Sequence, residues 1–268
     1  MTTDPPPPRR KWHLQRWLLL LAAGFLAYGG WTQYSFRAAL KEAEALGWTV
    51  SYTDPSEAIR KDWKAAFKKK TWLEGVTRVV IVRGESFVQH HRIFRQLDPK
   101  GLQIEFAAAL HDLSGLRGMS RLEDLIIWDG VNLENVDELK GLTRLRRVDL
   151  TDCKGLLNVN GIRELSALEQ LGLIRCKSLT SLDALRGLSA LYSVAFNECT
   201  GIANVDALKG LSMLKYVRLG GCTTLADVDG LKDLRLLDEV SINGCTGLTP
   251  EAVASLKAAL PNAKIDGP

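Results

Sequence analysis

The chain has 268 residues, 46% of them hydrophobic and 25% charged, with a formal net charge of +4. That composition is ordinary for a folded chain long enough for one or two domains. So small a positive surplus gives no reason to expect nucleic acid, and no nucleic-acid-binding motif is present.

Residues 1–16, MTTDPPPPRRKWHLQR, carry a proline run that forbids helix and reads as a disordered, polyproline-like tail. Arg9, Arg10, Lys11 and Arg16 then precede Trp17–Tyr34, 18 residues without a charge. As a helix this run would be about 27 Å long, enough for a bilayer core. Trp17, Tyr28, Trp31 and Tyr34 stand near its ends, as interfacial anchors would. A single-pass membrane helix or signal anchor is the favoured expectation. A cleaved signal peptide, with Ala27-Tyr28-Gly29 at the cut, and a buried core helix are the alternatives. Basic residues lie mainly before the run, so the amino terminus is expected in the cytoplasm and the remainder on the periplasmic or extracellular side.

Residues 35–75 are predicted to be a membrane-proximal helical cap over the open edge of the first strand. Asp54 suits an N-cap, with Pro55 at the first helical position and Glu57 three after the cap. Ala58, Ile59, Trp63, Ala66 and Phe67 give an apolar stripe, and Lys68, Lys69 and Lys70 suit the helix end.

Residues 76–247 are organised by a repeat. The five cysteines, Cys153, Cys176, Cys199, Cys222 and Cys245, follow one another at intervals of 23 residues. Before each stands L-x-x-φ-x-φ-x-x-C with φ apolar, as in Leu168, Leu171, Leu173 and Cys176. The two alternating apolar residues predict a short strand, and segments such as VDALKGL a short helix or turn that closes the coil. Shifting the period backward gives Leu125 and Ile127, Leu102 and Ile104, then Val79 and Ile81. Shifting it forward gives Ala263 and Ile265, so about nine strands are predicted between Arg78 and Asp266. Gly84, Ala107 and Gly130 replace cysteine in the early units, as a tight buried turn would require. Residues 84–98 depart from the pattern and read as a short convex-side helix. Their adjacent His90 and His91 point different ways on a helix and suggest no metal site. Residues 248–268 read as a carboxyl-terminal capping repeat, with Pro250 opening a helix and Val253, Leu256 and Leu260 as its apolar stripe.

Positions 23 apart stack into columns. The cysteine column is odd in number and its Cβ vectors run parallel, so buried reduced thiols are expected rather than disulfides. Five free thiols fit poorly with an oxidising compartment. Ser114, Asp137, Asn160, Asp183, Asp206 and Asp229 have N-cap residue types and are expected to cap the short helices. Arg117, Lys140, Arg163, Arg186, Lys209 and Lys232 form a basic column, largely offset by aspartates three residues earlier. On the outward face of the strands, Ile126, Trp128 and Ile174 are expected to be exposed apolar groups. Arg147, Asp149, Tyr216 and Arg218 would stand beside them, and aromatics with arginines suit a protein contact. The other expectation is that the cap helix folds over Ile126 and Trp128.

Segments such as NVDALKGLSMLKYVRLGGCTTLADVDGLKDL resemble the tandem leucine-rich repeats of bacterial surface and membrane proteins, over about Val76 to Pro268. The cysteine also resembles that of F-box leucine-rich repeats, although no F-box-like segment is present and internalin-like repeats have Asn there. The resemblance implies an α/β solenoid with a curved parallel sheet and short helices or turns on the convex side. It also implies a binding role, with a protein or peptide ligand on the concave face. An envelope protein that binds an anionic glycan or lipid, and a soluble intracellular F-box-like adaptor, are the alternatives. No nucleophile–base set, zinc motif or phosphate loop is present, so neither enzymatic activity nor a cofactor is expected.

Overall fold

The structure is a computed structural model that describes residues 38–39, 41–46, 49–53, 76–97 and 99–267. Ten strands form one sheet in chain order: β1 (Thr49–Thr53), β2 (Val76–Arg83), β3 (Gly101–Glu105), β4 (Asp124–Trp128), β5 (Arg147–Thr151), β6 (Gln170–Ile174), β7 (Ser193–Ala195), β8 (Tyr216–Arg218), β9 (Glu239–Ser241) and β10 (Lys264–Asp266). β2 to β10 are parallel, and only β1 runs antiparallel, against β2. Parallel neighbours need a crossover, and here each crossover is the rest of a coil. From Ser114–Leu116 to Asp229–Leu231, each crossover contains a three-residue 3₁₀ turn.

Each coil turns its alternating apolar residues inward. In one coil Leu168, Leu171, Leu173, Cys176, Leu179, Leu182 and Leu185 are all buried, and the same positions recur in its neighbours. A single coil leaves this apolar set open above and below. Stacking covers it, at roughly 2 kcal/mol per large side chain removed from water. The described interior is therefore one continuous apolar column.

The register is 23 residues from β3 to β9, as the cysteines predict. It differs at both ends. Val80 pairs with Leu102 and Val82 with Ile104, so the first coil is one residue shorter, and Val82 is buried. The connection there is two short helices, α1 (Gly84–Gln89) and α2 (His91–Leu97), rather than one. Phe87 and Phe94 fasten them with ring centroids 4.9 Å apart. At the far end Ile265 pairs with Val240 rather than Ile242, because α3 (Pro250–Ala259) lengthens the last crossover by two residues. Thr249 caps α3 by accepting from the Ala252 N–H.

The amino-terminal cap also differs from its prediction. Residues 38–39 and 41–45 are helical, with Ala39 and Ala43 buried, but Thr49–Thr53 is a strand. The open edge of β2 is thus covered by main-chain pairing rather than by a helix alone, which satisfies its edge N–H and C=O groups directly. The predicted helix after Asp54 and the run Trp17–Tyr34 lie outside the described residues. Among the described residues no helix is long and apolar enough to cross a membrane.

Candidate functional site: the concave sheet face

Strand pairing fixes which outward side chains are neighbours. Ile126 and Trp128 stand on β4, with Trp128 43% exposed and Ile126 half-buried. In register beside them lie Asp149 and Thr151 on β5, then Gly172 and Ile174 on β6. Arg147 lies opposite Asp124, and its Nε and Nη2 approach the same oxygen of Asp149 at 2.6 and 2.5 Å. Asp149 leans over Gly172, where an added Cβ would fall 2.2 Å from its other oxygen. Ile126, Trp128, Arg147, Asp149 and Ile174 therefore form one cluster. Tyr216 and Arg218 do not join it. They sit on β8, beyond β7, whose outward residues are Ser193 and Ala195.

The carboxyl of Asp124 is pushed above the ordinary carboxylate range, chiefly by desolvation, with Glu123 and Asp149 adding to the effect against Arg147 and Arg146. Along the edge where the strands begin, Lys100 pairs with Glu123 at 3.1 Å and Arg146 with Glu169 at 2.6 Å. The side chain of Gln170 bonds the Tyr192 hydroxyl.

The residue before the cysteine position forms a column that spacing alone did not single out. Asp129, Asp152, Arg175 and Glu198 all have left-handed backbone, with φ of 61, 57, 56 and 57°. Each such residue costs about 1–2 kcal/mol. The cost is offset because every one of these N–H groups donates to a carbonyl at or just past the strand end of the next coil, at 2.7–2.9 Å. Their side chains make an ion ladder: Arg175 grips Asp152 with two bonds, 2.8 and 2.6 Å, and stands 4.0 Å from Glu198. The hydrogen bond from Arg175 holds the Asp152 carboxyl below its usual range. Phe106 occupies the same position one coil earlier, with φ 51°, and is 61% exposed.

The five cysteines are free and fully buried, as expected. The thiols of Cys199, Cys222 and Cys245 donate to the carbonyls of Leu173, Phe196 and Leu219 in the preceding coil, at 2.8–3.0 Å. Hydrogen bonding with the neighbouring Cys153 and Cys199 sulfurs, then burial, pushes the Cys176 thiol far up, and burial lifts Cys222 to about 12. Gly130 belongs to this column by packing, since a Cβ there would strike the Cys153 sulfur at 2.9 Å.

The expected N-cap column is corrected. Asp137, Asn160, Asp183, Asp206 and Asp229 are the first residues of the 3₁₀ turns, and no side chain caps those turns at the residue before them. The backbone N–H groups of Ser114, Asp137, Asn160, Asp183, Asp206 and Asp229 donate instead to side chains two residues earlier. The acceptors are Asp112, Asn135, Asn158, Ser181, Asn204 and Asp227, at 2.7–3.2 Å. A side chain that bonds two residues onward sets the turn itself. Uniform Asp, Asn or Ser in that column was the legible sign. In the basic column Lys232 and Arg186 pair with the aspartate three residues earlier, at 2.6 and 2.9 Å, whereas Arg117 and Lys140 reach glutamates of the next coil, Glu138 at 3.4 Å and Glu164 at 3.7 Å. Among the described residues no cluster of three or more potential ligands could hold a metal.

No protein-family model matches the chain, and no curated protein matches it. Solved structures do. The leucine-rich repeat domain of the type III effector XopL aligns with 100% of this chain and 98% of its own, at 17% identity and a TM-score of 0.50. Internalin C2 of Listeria monocytogenes aligns with 74% of this chain and 83% of its own, at 19% identity and a TM-score of 0.48. A yeast complex of Rad7 and Elc1 gives 97% and 80%, at 15% identity and a TM-score of 0.39. Strand register, buried columns and the likeness to the XopL domain together show the fold: a leucine-rich-repeat solenoid.

Proposed function

We propose that this protein is a non-catalytic binding or scaffold module that holds a protein or peptide ligand on its concave sheet face. The observation that carries the reading is that one face of the sheet presents an exposed Trp128 on β4 and an exposed Arg218 on β8. Aromatic and arginine side chains are those that supply most binding energy at protein contacts. Arg117, Lys140, Arg186 and Lys232 of the convex basic column are drawn into ion pairs, so the column offers less to an anionic glycan or lipid. A double Trp128→Ala, Tyr216→Ala variant is expected to lose a partner that wild type retains in pull-downs from the native host. Retention by a folded double variant places the contact elsewhere.

The module is tethered, in this proposal, by Trp17–Tyr34, with the amino terminus in the cytoplasm and the repeats across the membrane. A carboxyl-terminal reporter that works only outside the cytoplasm should then be active. The second reading is a solenoid facing the cytoplasm, as an intracellular adaptor would. It is favoured by the five free buried thiols, which suit a reducing compartment. Activity of a cytoplasm-only reporter at that end would select it.

A further inference from the structure

The concave face is polarised along the solenoid. Its early strands carry acid and aromatic groups: Asp124, Ile126 and Trp128 point outward from β4, and Glu105 stands on β3. Arg147 turns its Nε and Nη2 to one oxygen of Asp149, and the Asp124 carboxylate makes no hydrogen bond among the described residues. The middle is neutral and small, with Gly172, Ser193 and Ala195. Arg218 then projects from β8, exposed, and its guanidinium makes no ion pair or hydrogen bond among the described residues. Its partners in register, Ala195 and Ser241, carry no charge, and the nearest acid in the ladder is Glu239 beside Tyr216.

We propose that the ligand is an extended peptide laid across the strands. A basic side chain would rest over Asp124, Ile126 and Trp128, and an acidic side chain or carboxyl terminus over Arg218. Trp128 and Ile126 would receive the aliphatic stem of the lysine or arginine while Asp124 meets its charged head. The two ends are four strand spacings apart, about 19 Å. An extended chain spans that distance in about six residues. Gly172, Ser193 and Ala195 form the small, uncharged part of the path between the two ends. This inference rests on the concave-face reading and adds the charge order of the ligand.

The test is selection of a displayed library of random ten-residue peptides on the full chain in detergent, then on three variants. Wild type should enrich peptides with a basic and an acidic residue about six positions apart. Asp124→Lys should abolish the basic preference and Arg218→Glu the acidic one, each weakening a wild-type-selected peptide about fivefold, as loss of an exposed ion pair can. Trp128→Ala with Tyr216→Ala should weaken every selected peptide. Peptides that need Trp128 and Tyr216 but show no charge spacing would leave the concave face as the site and overturn the charge order. Peptides indifferent to all three variants, or no enrichment by wild type, would overturn both.

Discussion

Gly161 offers a direct test of how closely the coils stack. A Cβ built there falls 1.9 Å from the Val136 oxygen, 2.6 Å from its carbonyl carbon and 2.9 Å from the Asp137 Cα. All three atoms are backbone of the preceding coil, so no side-chain rotation relieves the clash. Ordinary carbon–oxygen contact needs well over 3 Å, and the two coils must part on the convex side by more than 1 Å to reach it. Gly161→Ala should therefore cost about 2–3 kcal/mol, the upper range for overpacking. Gly187→Ala is the control. Its φ is +83° and nothing lies within 4 Å of the added Cβ, so only backbone strain of about 1 kcal/mol applies. Ala184 and Ala207 occupy the equivalent place in the next two coils and are buried, so alanine as such is not excluded there. Urea unfolding followed by far-UV circular dichroism compares the two variants. A Gly161→Ala variant as stable as Gly187→Ala would refute the close approach of these coils.

Three further outcomes are expected. No cysteine should react with a thiol reagent in the native state, and all five should react in denaturant; rapid native modification would contradict burial. Because the folded Cys222 thiol is lifted to about 12 from an ordinary 9.0, the unfolded chain loses its proton first as pH rises. Stability should be full below pH 9 and fall between pH 9 and about 12, read as a falling urea midpoint. Asp152 has the opposite sign: its carboxyl is held low by Arg175, so its contribution is present above 3.8 and is lost on acidification below it. Asp152→Ala should cost no more than about 1 kcal/mol, since the pair is partly exposed, and a larger loss in denaturant titration would mark a deeper role for the ladder.

The interior was legible because the same physical demand recurs in every coil. Leu171, Val194 and Val217 occupy one column because a smaller residue would open a gap against the copies above and below and a polar one would be buried without a partner. The ends were less legible for the same reason: the demand stops there. Counting back 23 from Leu102 gives Val79, yet Val80 is its partner, because α1 and α2 replace the usual crossover. Counting on from Ile242 gives Ile265, yet α3 shifts that residue beside Val240. Inward direction survived that shift because two residues preserve strand alternation. Thr49–Thr53 carried too little pattern to be told from the helical cap predicted around it. The turn column from Asp112 to Asp227 was visible as residue types, but the similar Asp column two positions later drew the capping role. On the concave face, Trp128 was identifiable as an outward aromatic. That Arg147 is committed to Asp149 while Arg218 is not depends on side-chain geometry that spacing does not encode.

The central claim is that one stack of coils, unbroken from β2 to β10, carries the binding face. Anomalous diffraction from the cysteine sulfurs of a crystal tests it most directly. Five sulfur peaks should stand in a single row, one per coil, about 5 Å apart along the solenoid. Peaks joined in pairs at disulfide distance, or scattered away from one line, would contradict it.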